Sequence, residues 1–292
     1  MPVTGNLRSI AAMLIAVALF SLMDAVLKLL VGTYPAMQVA ALRGLSALPL
    51  VCLYVLWRRE AHLLGRIRWP LHLLRGAMGI AMLWLFTFAL KELGLAEAYT
   101  IFFIAPLFIT MLAIPVLKEK VAQRHWLAIV VGLVGVVIAM RPDGTTFFSA
   151  GALAVLLAAA MYAVAAIVGR VLTRTDPAVT LVFWTTAMWG VGAGALAWWN
   201  WVPLDPAHWP AIAALAVTGS LGQVAITEAF RYGNASAVAP FEYSALAWGI
   251  ALDWFIWRAT PDAATLFGGA IIIASGIYLI RKEQVREATL PP

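Results

Sequence analysis

Five charged residues interrupt long apolar runs in this 292-residue chain, and they set the chemistry open to it. A charged side chain at the centre of a bilayer costs about 2.5–3.5 kcal/mol on insertion scales, so each one retained asks for a reason. Asp24 and Lys28 are four residues apart and share one helical face. They form either a neutralised structural pair, with Lys28 snorkelling to an interface, or part of a coupling site. Arg43 and Arg75 sit well inside apolar runs; Arg75 is about 9 Å in from Trp69 at 1.5 Å per residue. Either guanidinium could hold a substrate carboxylate through a bidentate contact, or tie its helix to a neighbouring carbonyl or acid. Glu242 stands beside Tyr243, two residues after Pro240 and about 12 Å into its run. With Leu246, Gly249 and Asp253 it recurs at i, i+4, i+7 and i+11, a stripe expected to face a bundle interior. Pro240 removes a helix hydrogen bond and frees a carbonyl for cavity water or a ligand. At this depth Glu242 is expected to take up and release a proton as a coupling group, or else to anchor a helix by a hydrogen bond.

Around these charges lie polar and aromatic side chains. Gln223 and Thr227 share a helical face, and Trp84, Tyr99, Tyr162, Trp189, Tyr243 and Trp248 offer aromatic surface at several depths. A cavity for amino acids with apolar side chains needs apolar walls and a few polar anchors. Half of these six aromatics are expected to line one, the others to pack against lipid or neighbouring helices.

Such residues need elements that carry them into a bilayer. Apolar residues make up 63% of the chain and charged ones 12%, against about 45–50% and about 25% in soluble domains. With a mean hydropathy of +0.91, no polar surface remains to face water. The runs are unbroken and rich in Leu and Ala, which excludes the alternating strands of a β-barrel. At about 20 residues per span, the runs place spans at roughly 8–31, 36–57, 69–90, 94–116, 124–140, 149–169, 178–199, 209–230, 234–257 and 264–281. The first is read as a retained helix, with no A-x-A-like cleavage site after it. The one cysteine, Cys52, lies in an apolar run.

The net charge of +6 reflects membrane insertion and no nucleic-acid partner, because the basic residues gather in loops. Fourteen fall on the side of the N-terminus: Arg8; Arg58, Arg59, Arg66 and Arg68; Lys118, Lys120 and Arg124; Arg170 and Arg174; Arg231; Arg281, Lys282 and Arg286. Three, namely Lys91, Arg141 and Arg258, fall on the other. The positive-inside rule then puts both termini in the cytoplasm. Trp57, Trp69, Trp126, Trp198, Trp199, Trp201, Trp209 and Trp257 fall at span ends, where indoles anchor helices to the interface. Trp84, Trp184, Trp189 and Trp248 lie deeper.

The chain also repeats itself. Gly94-Leu-Ala-Glu-Ala98 matches Gly233-Asn-Ala-Ser-Ala237, and the same offset pairs Phe102 with Phe241 and Leu107 with Leu246. A two-residue shift pairs Gly135-Val-Val-Ile138 with Gly276-Ile-Tyr-Leu279. Span four thus answers to span nine and five to ten. Five is odd, so the second unit enters the membrane from the opposite side, as in many secondary transporters. The expected fold is an all-α membrane protein of ten transmembrane helices in two inverted five-helix repeats, residues 1–143 and 144–292.

Phe20-Ser-Leu-Met-Asp-Ala25 with Lys28, Arg75-Gly76, Ala105-Pro106-Leu107, Ala239-Pro-Phe-Glu-Tyr243 and the run Ala225 to Gly233 resemble the EamA-type branch of the drug/metabolite transporter superfamily, nearest its amino-acid exporters. Glu119 fits the acidic residue that commonly closes span four there; the second half departs, carrying no Glu in Trp257-Arg-Ala-Thr-Pro261. The resemblance implies export of amino acids or related metabolites across a bacterial inner membrane. Other metabolites, such as nucleotide sugars or drug-like compounds, and passive conduction are the alternatives. An enzyme is not expected: there is no H-E-x-x-H, no P-loop and no Cys/His cluster with metal spacing, hence no metal and no cofactor. His62, His72, His125 and His208 are scattered at span ends, as solvated residues would be. A pump's nucleotide-binding domain has no room. The partners are a small-molecule substrate and the lipid bilayer; a monomer suffices and a dimer is compatible.

Overall fold

The structure is a computed structural model that describes residues 4–31, 33–65, 67–89, 101–140, 149–258 and 263–288. Tyr99, Glu97, Lys91 and Arg141 lie outside the described residues, as do the side chains of Lys28, Asp253 and Trp257.

Every regular element among the described residues is helical. In chain order they are α1 (Thr4–Val31), α2 (Ala36–Trp57), α3 (Trp69–Ala89), α4 (Ala105–Leu117), α5 (Gln123–Met140), α6 (Ala150–Leu172), α7 (Ala178–Ala197), α8 (Trp209–Tyr232), α9 (Ala235–Val238), a 3-10 segment Ala239–Tyr243, α10 (Ser244–Trp257) and α11 (Ala263–Ala288). Seven of these are long and apolar enough to cross a membrane: α1, α2, α3, α6, α7, α8 and α11. Helices α4 and α5 are apolar but shorter. Pro35 and Pro177 open α2 and α7, and the Ser149 hydroxyl accepts from the Ala152 N–H to cap α6. The ninth run does not form one helix. It breaks at Ala239-Pro240 into a 3-10 turn, because Pro240 cannot donate to an α ladder. The expected i, i+4, i+7, i+11 stripe from Glu242 therefore does not run through one α-helix. Helix α4 likewise starts at an Ala-Pro step, with Pro106 in its first turn. Lys118, after α4, and Arg258, after α10, both adopt the left-handed conformation with φ of 55 and 54°.

Four pairings build the bundle: α1 along α8, α3 along α6, α2 against α7, and α5 against α11. Replacing each first-half helix by its second-half counterpart (α1 by α6, α2 by α7, α3 by α8, α5 by α11) turns this set into itself. The α2–α7 crossing is set by Gly44 and Gly190: a Cβ on Gly190 would lie 2.9 Å from the Gly44 carbonyl carbon and the Leu45 nitrogen. Small residues let helix backbones meet this way where lipid gives no hydrophobic drive between helices. Leu53, Leu56, Phe255 and Phe267 remain exposed on the outside, the surface that acyl chains would cover, and Trp57, Trp198, Trp199 and Trp209 stand exposed at helix ends. Trp184, half-buried a few residues into α7, reaches back to the loop: its Nε1–H donates to the Leu64 carbonyl at 3.0 Å and its ring meets Trp69 edge-on.

Two readings of the loops change. His72 and His125 are buried, not solvated; His72 Nε2 lies 2.9 Å from Asp176 Oδ2, and the half-buried His208 pairs with the Tyr34 hydroxyl at 2.9 Å. Burial opposes the Asp176 charge, but hydrogen bonds from Thr175, His72 and the Arg68 N–H win and hold its carboxyl below the usual range. Arg170, counted above among basic loop residues, is also buried. Its Nη1 donates to the Phe230 and Arg231 carbonyls, both at 2.6 Å, at the C-terminal end of α8. Across the Gly233 turn, Glu119 accepts from the Ala235 and Ser236 N–H groups at 3.0 and 3.1 Å and from the Ser236 hydroxyl at 2.8 Å. A cation thus serves the carbonyl end of α8 and an anion the amide end of α9, the signs that helix dipoles favour. Asn6 of α1 joins the corner by accepting from the Asn234 N–H at 3.2 Å.

Two substitutions check this packing. Gly190→Val should lower the melting temperature of the detergent-solubilised protein by several degrees, since overpacking costs about 1–3 kcal/mol; equal melting of variant and parent would contradict the close crossing. Glu119→Ala strands two buried amides and should destabilise by about 3 kcal/mol, with Glu119→Gln intermediate. Unfolding curves that superimpose on the parent's would remove Glu119 from the corner's energetics.

Candidate functional site

Between the helix pairs lies a cavity of about 380 Å³, near the lower end of the range typical of small-molecule sites. Helix α1 contributes Asp24, α2 Arg43, α3 Arg75, α6 Tyr162, α7 Trp189, α8 Gln223, and the 3-10 turn Glu242. Seven of the residues singled out in the sequence therefore converge from seven elements. Asp24, three quarters of the way along α1, is exposed to this space.

Arg43 is held on several sides. Its guanidinium carbon lies 4.9 Å from the centre of the Trp189 ring and 5.3 Å from that of Phe20, within cation–π range. Asp24 acts on it through space, and a recess of about 20 Å³ beside it, lined by Thr185, Thr186 and Gln223, has room for a water. The Trp189 indole can lie there because Gly79 of α3 has no side chain in its way. From α6 the Tyr162 hydroxyl donates to Glu242 Oε1 at 3.0 Å, and Phe102 packs tilted on Tyr162 with 5.6 Å between ring centres. Glu242 owes its position to the break in span nine: the 3-10 turn faces the carboxyl toward α6.

Trp84, Trp248 and Tyr243 point elsewhere. Trp84 is 57% exposed and stacks on Phe88 on the outer face of α3. Trp248 is 42% exposed and is absent from the cavity wall. Tyr243 is 1% exposed and packs over Gly132 of α5 and beside Phe103. Thr227 turns its hydroxyl back onto the Gln223 carbonyl at 2.7 Å. Lys28 belongs to α1, and Tyr99 lies outside the described residues. Three aromatics of the six, less Tyr99, thus leave the wall for lipid or core, while Phe20, Phe86, Phe102, Met13 and Met82 join it. No sequence signal separates those five from other apolar residues.

Met13, Val17, Ala166 and Phe230 line the cavity and also belong to the largest buried cluster, with Ile109, Ala113 and Leu117 of α4. That cluster forms the cavity floor, adjacent to the Arg170 and Glu119 corner. The site thus combines two cations, two carboxyls and aromatic walls above an apolar floor.

The family model described as EamA-like transporter family matches twice, over residues 7–141 and 149–281. The pseudopaline exporter CntI of Pseudomonas aeruginosa is 30% identical over 267 residues, covering 91% of this chain and 93% of that protein. An S-adenosylmethionine uptake transporter of Rickettsia bellii is 29% identical, covering 73% of each, and a riboflavin transporter of Vibrio cholerae is 27% identical, covering 73% of this chain and 72% of that one. A solved crystal structure shares the fold with a TM-score of 0.79 at 19% identity, over 99% of this chain and 100% of the other.

Proposed function

The chain belongs to the EamA-like transporter family, and from that premise we propose that it exports zwitterionic amino acids with sizeable side chains, or metabolites of similar build, by alternating access. Transport of a small metabolite by an all-α membrane protein follows from the family and the relatives. The amino-acid class rests on one observation: Arg43, Arg75, Asp24 and Glu242 meet over aromatic walls in one cavity. A zwitterion needs both signs of charge nearby, and its side chain needs an apolar wall. The floor of buried residues speaks against a passive channel. A different metabolite class is the second reading, supported by the uptake transporters among the relatives.

The proposal includes ten spans in two inverted repeats, residues 1–143 and 144–292, with both termini in the cytoplasm of a bacterial inner membrane and one copy sufficient. The self-mapping set of helix pairs, the matched left-handed ends at Lys118 and Arg258 and the lopsided basic residues support it. Cysteines placed in the 58–68 loop, after Cys52 is replaced, should resist an impermeant thiol reagent in intact cells, while those at 203–206 should react. Labelling of the 58–68 loop from outside would invert the topology.

Glu242, hydrogen-bonded by Tyr162, is the proposed coupling group. Counterflow of a labelled amino-acid panel in proteoliposomes should show uptake of aromatic and other large amino acids; competition by nucleotide sugars alone would refute the amino-acid reading. In the same vesicles Glu242→Gln keeps size and hydrogen bonding but removes titration. It should abolish pH-driven accumulation yet retain substrate-for-substrate exchange. A well-folded variant with the parent's pH dependence would take Glu242 out of the mechanism.

A further inference from the structure

The two arginines of the cavity differ in how their charge is met. Arg43 has two aromatic faces and a polar recess around it, and Asp24 and the Tyr162 hydroxyl act on it through space without closing to an ion pair. Among the described residues Arg75 has neither the aromatic faces nor the recess, and no carboxylate acts on it. Among the described residues no carboxylate forms an ion pair with it, and the titratable groups facing it are the Tyr162 hydroxyl and His72, which is itself bonded to Asp176. Its Nη1 is enclosed yet meets no acceptor. A buried cation without a counter-charge is expensive, and a cavity that retains one is short of an anion.

Arg75 is also backed by α6. A Cβ on Gly169 of α6 would lie 3.2 Å from its Cζ, 3.3 Å from Nε and 3.4 Å from Nη2, so the guanidinium lies against bare backbone that any larger residue would crowd. Gly169 stands seven residues after Tyr162, two turns along the same face of α6. One helix face thus seats both the unpaired cation and the tyrosine that holds Glu242. A planar fork backed on one side by a helix loses less freedom when a carboxylate arrives, which favours selective recognition.

We propose that Arg75 is the anion-recognition residue of this cavity, taking the carboxylate of the transported metabolite, and that Arg43 is a wall cation neutralised by Asp24. This rests on the amino-acid reading above and divides the roles within it. The test compares inhibition of phenylalanine counterflow by phenylalanine, phenylalaninamide and phenethylamine in parent, Arg75→Gln, Arg75→Lys and Arg43→Gln proteins. The parent should prefer the carboxylate by about 10- to 100-fold, the worth of a charged hydrogen-bonded contact. Arg75→Gln should bring that ratio near one and Arg75→Lys should fall between. Arg43→Gln should transport less but keep the ratio. A preserved ratio in Arg75→Gln, or one lost in Arg43→Gln, overturns the assignment while leaving amino-acid transport intact. Thermal stabilisation of purified protein by phenylalanine, phenylpropionate and phenethylamine is read alongside and needs no transport. If the parent moves no phenylalanine but phenylpropionate stabilises it and not Arg75→Gln, the Arg75 site stands and the amino-acid reading falls. Stabilisation by carboxylates of both proteins alike, or of neither, overturns the site.

Discussion

A helix end buried away from water leaves amides or carbonyls that must find partners inside the protein, and the corner between α8 and α9 is where this fold meets that demand. The chain turns at Gly233 with α8 closing and α9 opening a few residues apart. Arg170 satisfies the closing carbonyls and Glu119 the opening amides. Because these side chains come from α6 and from just beyond α4, the corner fixes four elements at once, and Asn6 adds the start of α1. Everything above depends on this seating. The 3-10 turn that carries Glu242 is the direct continuation of α9, so the carboxyl's depth in the cavity is set by where Glu119 holds the helix start.

The same logic explains what could be read from the sequence. Helix positions were legible because bilayer thickness and backbone satisfaction leave one solution for long apolar runs, and the boundaries of α2, α3 and α7 fall where Pro35, Trp69 and Pro177 place them. Which way a side chain faces was far less legible. A helix that is apolar all round gives no periodicity to orient it, so Trp84, Tyr243 and Trp248 were nominated for a wall that Phe20, Phe86 and Phe102 help to form. Charges were more informative: Asp24, Arg43, Arg75 and Glu242 all reach the cavity, since an isolated charge in such a helix has few tolerable places to go. Arg170 reads in the sequence as a loop cation for the opposite reason. Two residues before the end of its helix it looks like any interfacial cation, and its target is a pair of backbone carbonyls that leave no mark in sequence.

Glycine carried information of a different kind. Gly79, Gly169 and the Gly44–Gly190 crossing each clear space for a specific neighbour: the Trp189 indole, the Arg75 guanidinium and an opposing backbone. Two of these three clearances position a cavity residue. Close helix packing and the placement of functional side chains are therefore one design feature here, because in lipid small residues are what lets helices approach.

The repeats are not equivalent at their ends, and this bears on how the proposed alternation would be driven. Lys118 and Arg258 close α4 and α10 in the same left-handed conformation, which makes the ends structural counterparts. After Lys118 comes Glu119, with three hydrogen bonds to the start of α9; after Arg258 the sequence has Ala259. Alternating access in an inverted repeat exchanges the conformations of the two halves. Opening the Glu119 end would strand buried amides, and the position aligned with Glu119 is Ala259 in the sequence. The closed Glu119 corner is thus held by hydrogen bonds that opening must break. Free energy to open that end must come from elsewhere, and the groups placed to supply it are the ones the cavity already holds: a substrate bringing charge to Arg75, or a proton exchanged at Glu242, on the turn that α9 leads into.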